Sequence, residues 1–160
     1  MKPRVYVETT IISYLVGWLN QRDLYVAANQ EFTREWWSDK RQRFDLFASA
    51  VVIKEARDGT PALAASRLEL LRDVTLLEIT PAADELKVEL LRQMALPLKA
   101  ELDALHIAVA AVHGMDYLVS WNCRHIANAV TLPKVYAICR SYGYEPPFVC
   151  TPLELMEGQQ

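Results

Sequence analysis

Five short apolar runs, each followed by residues at helical spacing, constrain this chain more than any other feature of it. Arg4 to Val7, Phe44 to Ala48, Val74 to Ile79, Tyr117 to Ser120 and Phe148 to Thr151 are too short for helices and rich in β-branched and aromatic residues. Between them the spacing turns helical. A helix is expected from about Ile11 to Leu19, with Thr9 or Thr10 as its N-cap. Leu24, Ala28, Phe32 and Trp36 repeat every four residues within a stretch running to about Lys40. Ser49 to Glu55 leads into a short helix that stops near Asp58 and Gly59. Further helices are expected from Pro61 to about Arg72, from Pro81 to about Met94, from Leu102 to Val112 and from Pro133 to Tyr142. Strands that alternate with helices pair in parallel, because only a long crossover returns the chain to the same end of a sheet. The pattern predicts an α/β fold: a three-layer α/β/α sandwich around a central, mostly parallel, five-stranded sheet. With 160 residues, residues 1–160 make a single domain.

Composition removes several alternatives. Apolar residues are 52% of the chain and charged residues 23%, enough apolar side chain for a packed core. No apolar run reaches the roughly 20 residues that span a bilayer, so no membrane association is expected. The first residues lack the apolar segment of a secretory signal. Cys123, Cys139 and Cys150 are an odd number without CxxC spacing, which argues against a disulfide frame and for a reducing, cytoplasmic setting. The net charge of −3 is not that of a protein that wraps duplex DNA, although a carboxylate cluster that binds a cation reverses its own local sign. There is no P-loop and no GxGxxG among only 5 glycines, which disfavours a nucleotide-binding domain.

In an open parallel sheet, ligands collect outside the carboxyl ends of the strands. Four side chains answer to that rule. Glu8 ends the first strand, Glu55 lies in the helix after the second, Asp103 opens the long apolar helix, and Asn122 follows the fourth strand. All four offer hard oxygen atoms, the donor set preferred by Mg²⁺ or Mn²⁺. Each also has a plainer reading: a helix-start acid for Glu8, a solvated helix residue for Glu55, an N-cap for Asp103 and a turn residue for Asn122. His106, one turn after Asp103, reads as a packed histidine, a partner of that acid or, least favoured, a ligand. His113 has no evident partner.

The combination resembles the PIN-domain family. Val5-Tyr6-Val7-Glu8-Thr9-Thr10 is similar to that family's opening strand and acid, Ser49 to Glu55 to its second motif, Asp103 to Ala108 to its third and Tyr117 to Asn122 to its fourth. The order holds from about residue 4 to residue 151, and the branch of VapC-type toxin ribonucleases is the most similar in size. Two positions depart from the commonest pattern: the first acid is Glu8 in place of Asp, and the fourth position is the neutral Asn122. The resemblance implies an endoribonuclease that uses Mg²⁺ or Mn²⁺ to hydrolyse RNA phosphodiesters, the toxin of a type II toxin–antitoxin pair. Glu8, Glu55, Asp103 and Asn122 would form the catalytic and metal site, with Thr9, Arg124 and His125 toward the substrate. It also implies a small antitoxin protein as partner and a homodimer, with the Leu24 to Trp37 stripe offered as its contact. The alternative, motivated by Glu8 and Asn122, is a weakened PIN-like module that binds RNA or protein. Trp36 and Trp37, among the bases Arg34 to Arg43, are read first as partly buried residues of an amphipathic helix and second as a docking surface.

Overall fold

The computed structural model describes residues 1–94 and 96–156. Five parallel strands, β1 (Arg4–Val7), β2 (Asp45–Ser49), β3 (Thr75–Leu77), β4 (Tyr117–Val119) and β5 (Phe148–Cys150), form one sheet in the order β3-β2-β1-β4-β5. The register pairs Tyr6 with Phe47 on one side and with Leu118 on the other. Every pairing is parallel, so the sheet is more regular than the mostly parallel one expected. β1 is the centre. From it the chain steps outward to β2 and β3, then returns across the sheet to β4 and β5. That reversal leaves a crevice at the carboxyl ends of β1 and β4, the place where such sheets bind ligands.

Eight α-helices flank the sheet among the described residues: α1 (Thr9–Leu15), α2 (Leu24–Glu35), α3 (Ala50–Ala56), α4 (Pro61–Leu71), α5 (Pro81–Met94), α6 (Glu101–Val112), α7 (Leu132–Ser141) and α8 (Pro152–Met156). α1 packs against α2, α3 and α4, and α5 packs against α6 and α7. Right-handed crossovers account for the two groups, since the reversal of direction after β3 moves the later helices to the other face. α6 carries no charge after Asp103, and every residue from Ala104 to Ala111 is buried. Its alanines let it approach its neighbours closely. Its leucine, isoleucine and valine each add about 1.5–3 kcal/mol by leaving water.

Several elements depart from the sequence expectation for identifiable reasons. α1 begins at Thr9 and its N-cap is Glu8, not a threonine. The Glu8 carboxylate folds back to accept from the Thr10 amide. The stripe from Leu24 does not continue as one helix to Lys40. After Glu35 the chain widens into a π-turn, Trp36–Lys40, in which the Arg41 amide reaches the Trp36 carbonyl. Trp36, the last residue of the stripe, is fully buried in the core, and past it the Arg41 guanidinium lies 4.7 Å over the Trp37 ring. The first reading of the tryptophans therefore holds for Trp36, and the stripe cannot present that ring to a second copy. Leu24 and Tyr25, at its start, are exposed. The short α8 and a 3-10 turn at Leu98–Ala100 had no clear periodic signal.

Candidate metal centre

The site grows out of β1. Val5, Tyr6 and Val7 are completely buried, which fixes the strand at the middle of the sheet and carries Glu8 to its end with only 3% exposure. A carboxylate so enclosed needs donors. Glu8 Oε2 receives three: the Thr10 amide at 3.1 Å, the Thr10 hydroxyl, and the Ser120 hydroxyl at 2.7 Å. Ser120 lies just past β4 and accepts from the Asn122 amide at 2.9 Å, so the two strand ends at the crevice are tied together through one serine.

Glu55 reaches the same place from α3. The Thr9 hydroxyl donates to its Oε1 at 2.8 Å, and His106 Nε2 lies 2.6 Å from the same oxygen. Partial burial raises the Glu55 pKa, but the hydrogen bonds from His106 and the Thr9 hydroxyl, with the nearby Lys54 charge, hold the carboxyl below the usual carboxylate range. Glu8, Glu55 and His106 each bring one ligand-type atom within 4.8 Å of the others, and they are the one such group among the described residues.

Asp103 and Asn122 stand in a second knot beside that trio. Asp103 is in the first turn of α6, where its side chain meets the positive end of the helix dipole. Its Oδ2 meets His125 Nδ1 at 2.8 Å. His125 also donates its amide to Asn122 Oδ1 at 3.0 Å, closing a turn after β4. The path runs from Glu8 through Ser120, Asn122 and His125 to Asp103, and from Asp103 one turn along α6 to His106 and Glu55. Asn122 thus spends its carbonyl oxygen on the loop, and Thr9 spends its hydroxyl on Glu55. Arg124 is exposed beside them, its side chain turned to no described partner in this network.

The carboxylates share one habit. Glu8 takes all its protein donors on Oε2, Glu55 on Oε1 and Asp103 on Oδ2. The second oxygen of each accepts no hydrogen bond from a described residue. A carboxylate anchored through one oxygen and open at the other is how a cation ligand is oriented before the ion arrives. The donor set therefore fits a hard divalent cation. It does not fit cysteine chemistry, since burial pushes the Cys139 thiol up to about 11 and the Cys150 thiol up to about 12.

Sequence reasoning placed Glu8 and Asn122 at strand ends and Glu55 and Asp103 in the helices beside them, and missed what holds them. Ser120, Thr10, Ser49 and Tyr6 were given no part in the site. A tyrosine inside an otherwise aliphatic strand was the available sign, because a buried hydroxyl must find a partner. His106 proves to be completely buried and bonded to Glu55, not to Asp103. His113 Nε2 meets the Glu78 carbonyl at 2.8 Å.

An open parallel sheet with acidic side chains at its switch point defines a class of α/β proteins with a carboxylate-lined site. Solved structures specify the fold further. No protein-family model matches the sequence, and no curated protein matches it. VapC20 of Mycobacterium tuberculosis, described as a sarcin-ricin loop cleaving toxin, superposes with a TM-score of 0.58 at 18% identity, over 76% of this chain and 92% of the toxin. VapBC2 from Rickettsia felis, bound to a DNA fragment from its promoter, gives 0.53 at 15% identity, over 92% of this chain and 97% of the other. FitAB bound to a DNA fragment gives 0.52 at 13%, over 93% and 95%. The chain carries the PIN-like α/β/α fold of the VapC-type toxins. No helix among the described residues is long and apolar enough to cross a membrane.

Proposed function

We propose that this protein is a divalent-metal-dependent endoribonuclease acting as the toxin of a toxin–antitoxin pair. The observation that carries the reading is the set of half-anchored carboxylates at the switch point. Glu8 and Glu55, with Asp103 beside them, would hold Mg²⁺ or Mn²⁺ through their unbonded oxygens, and Asn122 would support the site through its turn. When bound, such a cation supplies Lewis acidity toward a phosphodiester and the water that attacks it.

The chain's own groups do the rest. Glu55, whose carboxyl is held below the usual carboxylate range, would as a ligand also orient the attacking water beside the cation. Thr9 fixes the other oxygen of that carboxylate. Arg124, exposed on the loop after β4, is placed to meet a phosphate oxygen of single-stranded or looped RNA. His125 holds Asp103 and shares the loop with Arg124, so substrate contact there would move Asp103 as well. The fold shared with VapBC2 and FitAB supports a small antitoxin partner, and a homodimer remains part of the proposal, with exposed Leu24 and Tyr25 as its contact.

Asp103→Asn tests the reading. RNA cleavage by the parent should require Mg²⁺ or Mn²⁺ and stop with EDTA, and the variant, folded by circular dichroism, should lose it. Cleavage that survives Asp103→Asn contradicts the site. A folded parent that binds RNA but never cleaves it favours the weakened binding module.

A further inference from the structure

Behind Glu55 lies a chain of buried polar groups that the cleavage chemistry leaves unused. The Val51 amide donates to Ser49 Oγ at 3.3 Å, Ser49 Oγ lies 2.8 Å from the Tyr6 hydroxyl, and that hydroxyl lies 2.8 Å from His106 Nδ1. His106 Nε2 ends the chain at Glu55 Oε1, 2.6 Å away. Ser49, Tyr6 and His106 are all at 0% exposure. Four elements supply it (β1, β2, α3 and α6), and its longer links span sequence separations of 43, 100 and 51 residues.

The direction of these bonds follows from the two ends. At one end an amide N–H can only donate, so Ser49 Oγ accepts and its own proton is free to go to Tyr6. At the other end Glu55 is a carboxylate and can only accept. A bare Nε2 lone pair 2.6 Å from a carboxylate oxygen would be repelled, so Nε2 carries a proton. The Ser49 proton then goes to the Tyr6 hydroxyl and the Tyr6 proton to His106 Nδ1, so Nδ1 accepts and carries no proton of its own. Each group donates once, and no polar atom of Ser49, Tyr6 or His106 is left without a partner. The opposite direction would leave the Ser49 proton with no acceptor among these groups.

We infer that Val51, Ser49, Tyr6 and His106 form a one-way hydrogen-bond relay that locks His106 in its Nε2–H tautomer, making it a positioning residue for Glu55 and not a metal ligand. The proximity of Glu8, Glu55 and His106 permits the opposite assignment, a mixed oxygen and nitrogen site. The relay decides against it, because both ring nitrogens are already committed and the ring is sealed from the crevice. The cation would then meet oxygen only, which favours Mg²⁺ and Mn²⁺ over softer ions. This inference rests on the metal reading above for its role, but the tautomer is a property of the protein alone.

Nitrogen-15 NMR of the His106 ring, in metal-free protein and then with saturating Mg²⁺, reads the tautomer directly. The expected result is a protonated Nε2 and an unprotonated Nδ1 in both states. Mg²⁺ titration calorimetry supplies the second readout. Tyr6→Phe and His106→Leu should each weaken Mg²⁺ binding by roughly 10–100-fold, the usual cost of losing an outer partner of a ligand. His106→Gln, whose amide can still donate to Glu55, should restore most of it. A protonated Nδ1, an Nε2 signal that moves to the metal-bound range, or a Tyr6→Phe protein that binds Mg²⁺ like the parent would overturn the relay. If Tyr6→Phe does not fold, the tautomer in the parent and the contrast between Leu and Gln at position 106 still decide. A parent that binds no Mg²⁺ while holding the Nε2–H tautomer overturns the metal reading and supports the relay.

Discussion

The two ends of the sheet are built from opposite materials. At the amino ends of the strands, rings of Trp36, Phe44, Tyr117 and Phe148 follow one another at centroid distances of 5.9, 6.4 and 6.2 Å. Broad clefts open there, one along Trp37, Arg41, Phe47 and Asp73, another along Met1, Phe44, Tyr117 and Phe148. At the carboxyl ends the surface is tighter, and carboxylates and histidines are knitted by hydrogen bonds of 2.6–3.1 Å. The larger hollows are thus on the side without convergent acids. Cavity size alone points to the end opposite the acids. What marks the carboxyl end is the cost of enclosing charge: a carboxylate at 3% exposure persists only where the fold supplies donors for it, and here they are supplied to one oxygen at a time.

The contrast predicts that substitutions at the two ends fail differently. Trp36→Ala, at the amino end, should have the largest effect, a loss of about 3–5 kcal/mol of stability from an emptied core site. Urea denaturation measures it, and Mg²⁺ affinity of the protein that remains folded should be close to the parent's. A large drop in affinity with intact stability would break the division. His125→Ala, at the carboxyl end, should do the reverse. Freed of its partner, Asp103 loses its orientation, and Mg²⁺ affinity should fall by roughly 10–100-fold with little change in the urea midpoint. Calorimetry that finds unchanged affinity would separate His125 from the site. The smallest effect concerns pH in the metal-free protein. The Glu55 pKa is lower in the folded state than in the unfolded chain, so its charged form stabilises the fold above the ordinary carboxylate range. That contribution is lost as pH falls through the lowered folded value. The stability difference between parent and Glu55→Gln should shrink on acidification from pH 6 toward pH 3. A difference that widens would mean that burial, not His106 and Thr9, governs this carboxyl.

The same contrast explains what was legible beforehand. β1 was readable to the residue because Val5-Tyr6-Val7 is an apolar run ended by Glu8, and α6 because a nearly uncharged helix must be buried. The acids were readable because strand ends are local features. The π-turn at Trp36 was not, since its cause is the core that receives the ring, not any local propensity. The pairings His106 with Glu55 and Ser120 with Glu8 join residues 51 and 112 positions apart, and no periodicity encodes them. Residues that bear charge announced themselves. Those that hold the charge in place are uncharged and emerged only when the chain was folded.

The most direct test of the account is a crystal structure of the parent grown with Mn²⁺, read by the ion's anomalous signal. One ion should lie between β1 and α3, touching the free oxygens of Glu8 and Glu55 with Asp103 beside it. A protein that takes up Mn²⁺ elsewhere, or none at millimolar concentration, would contradict it.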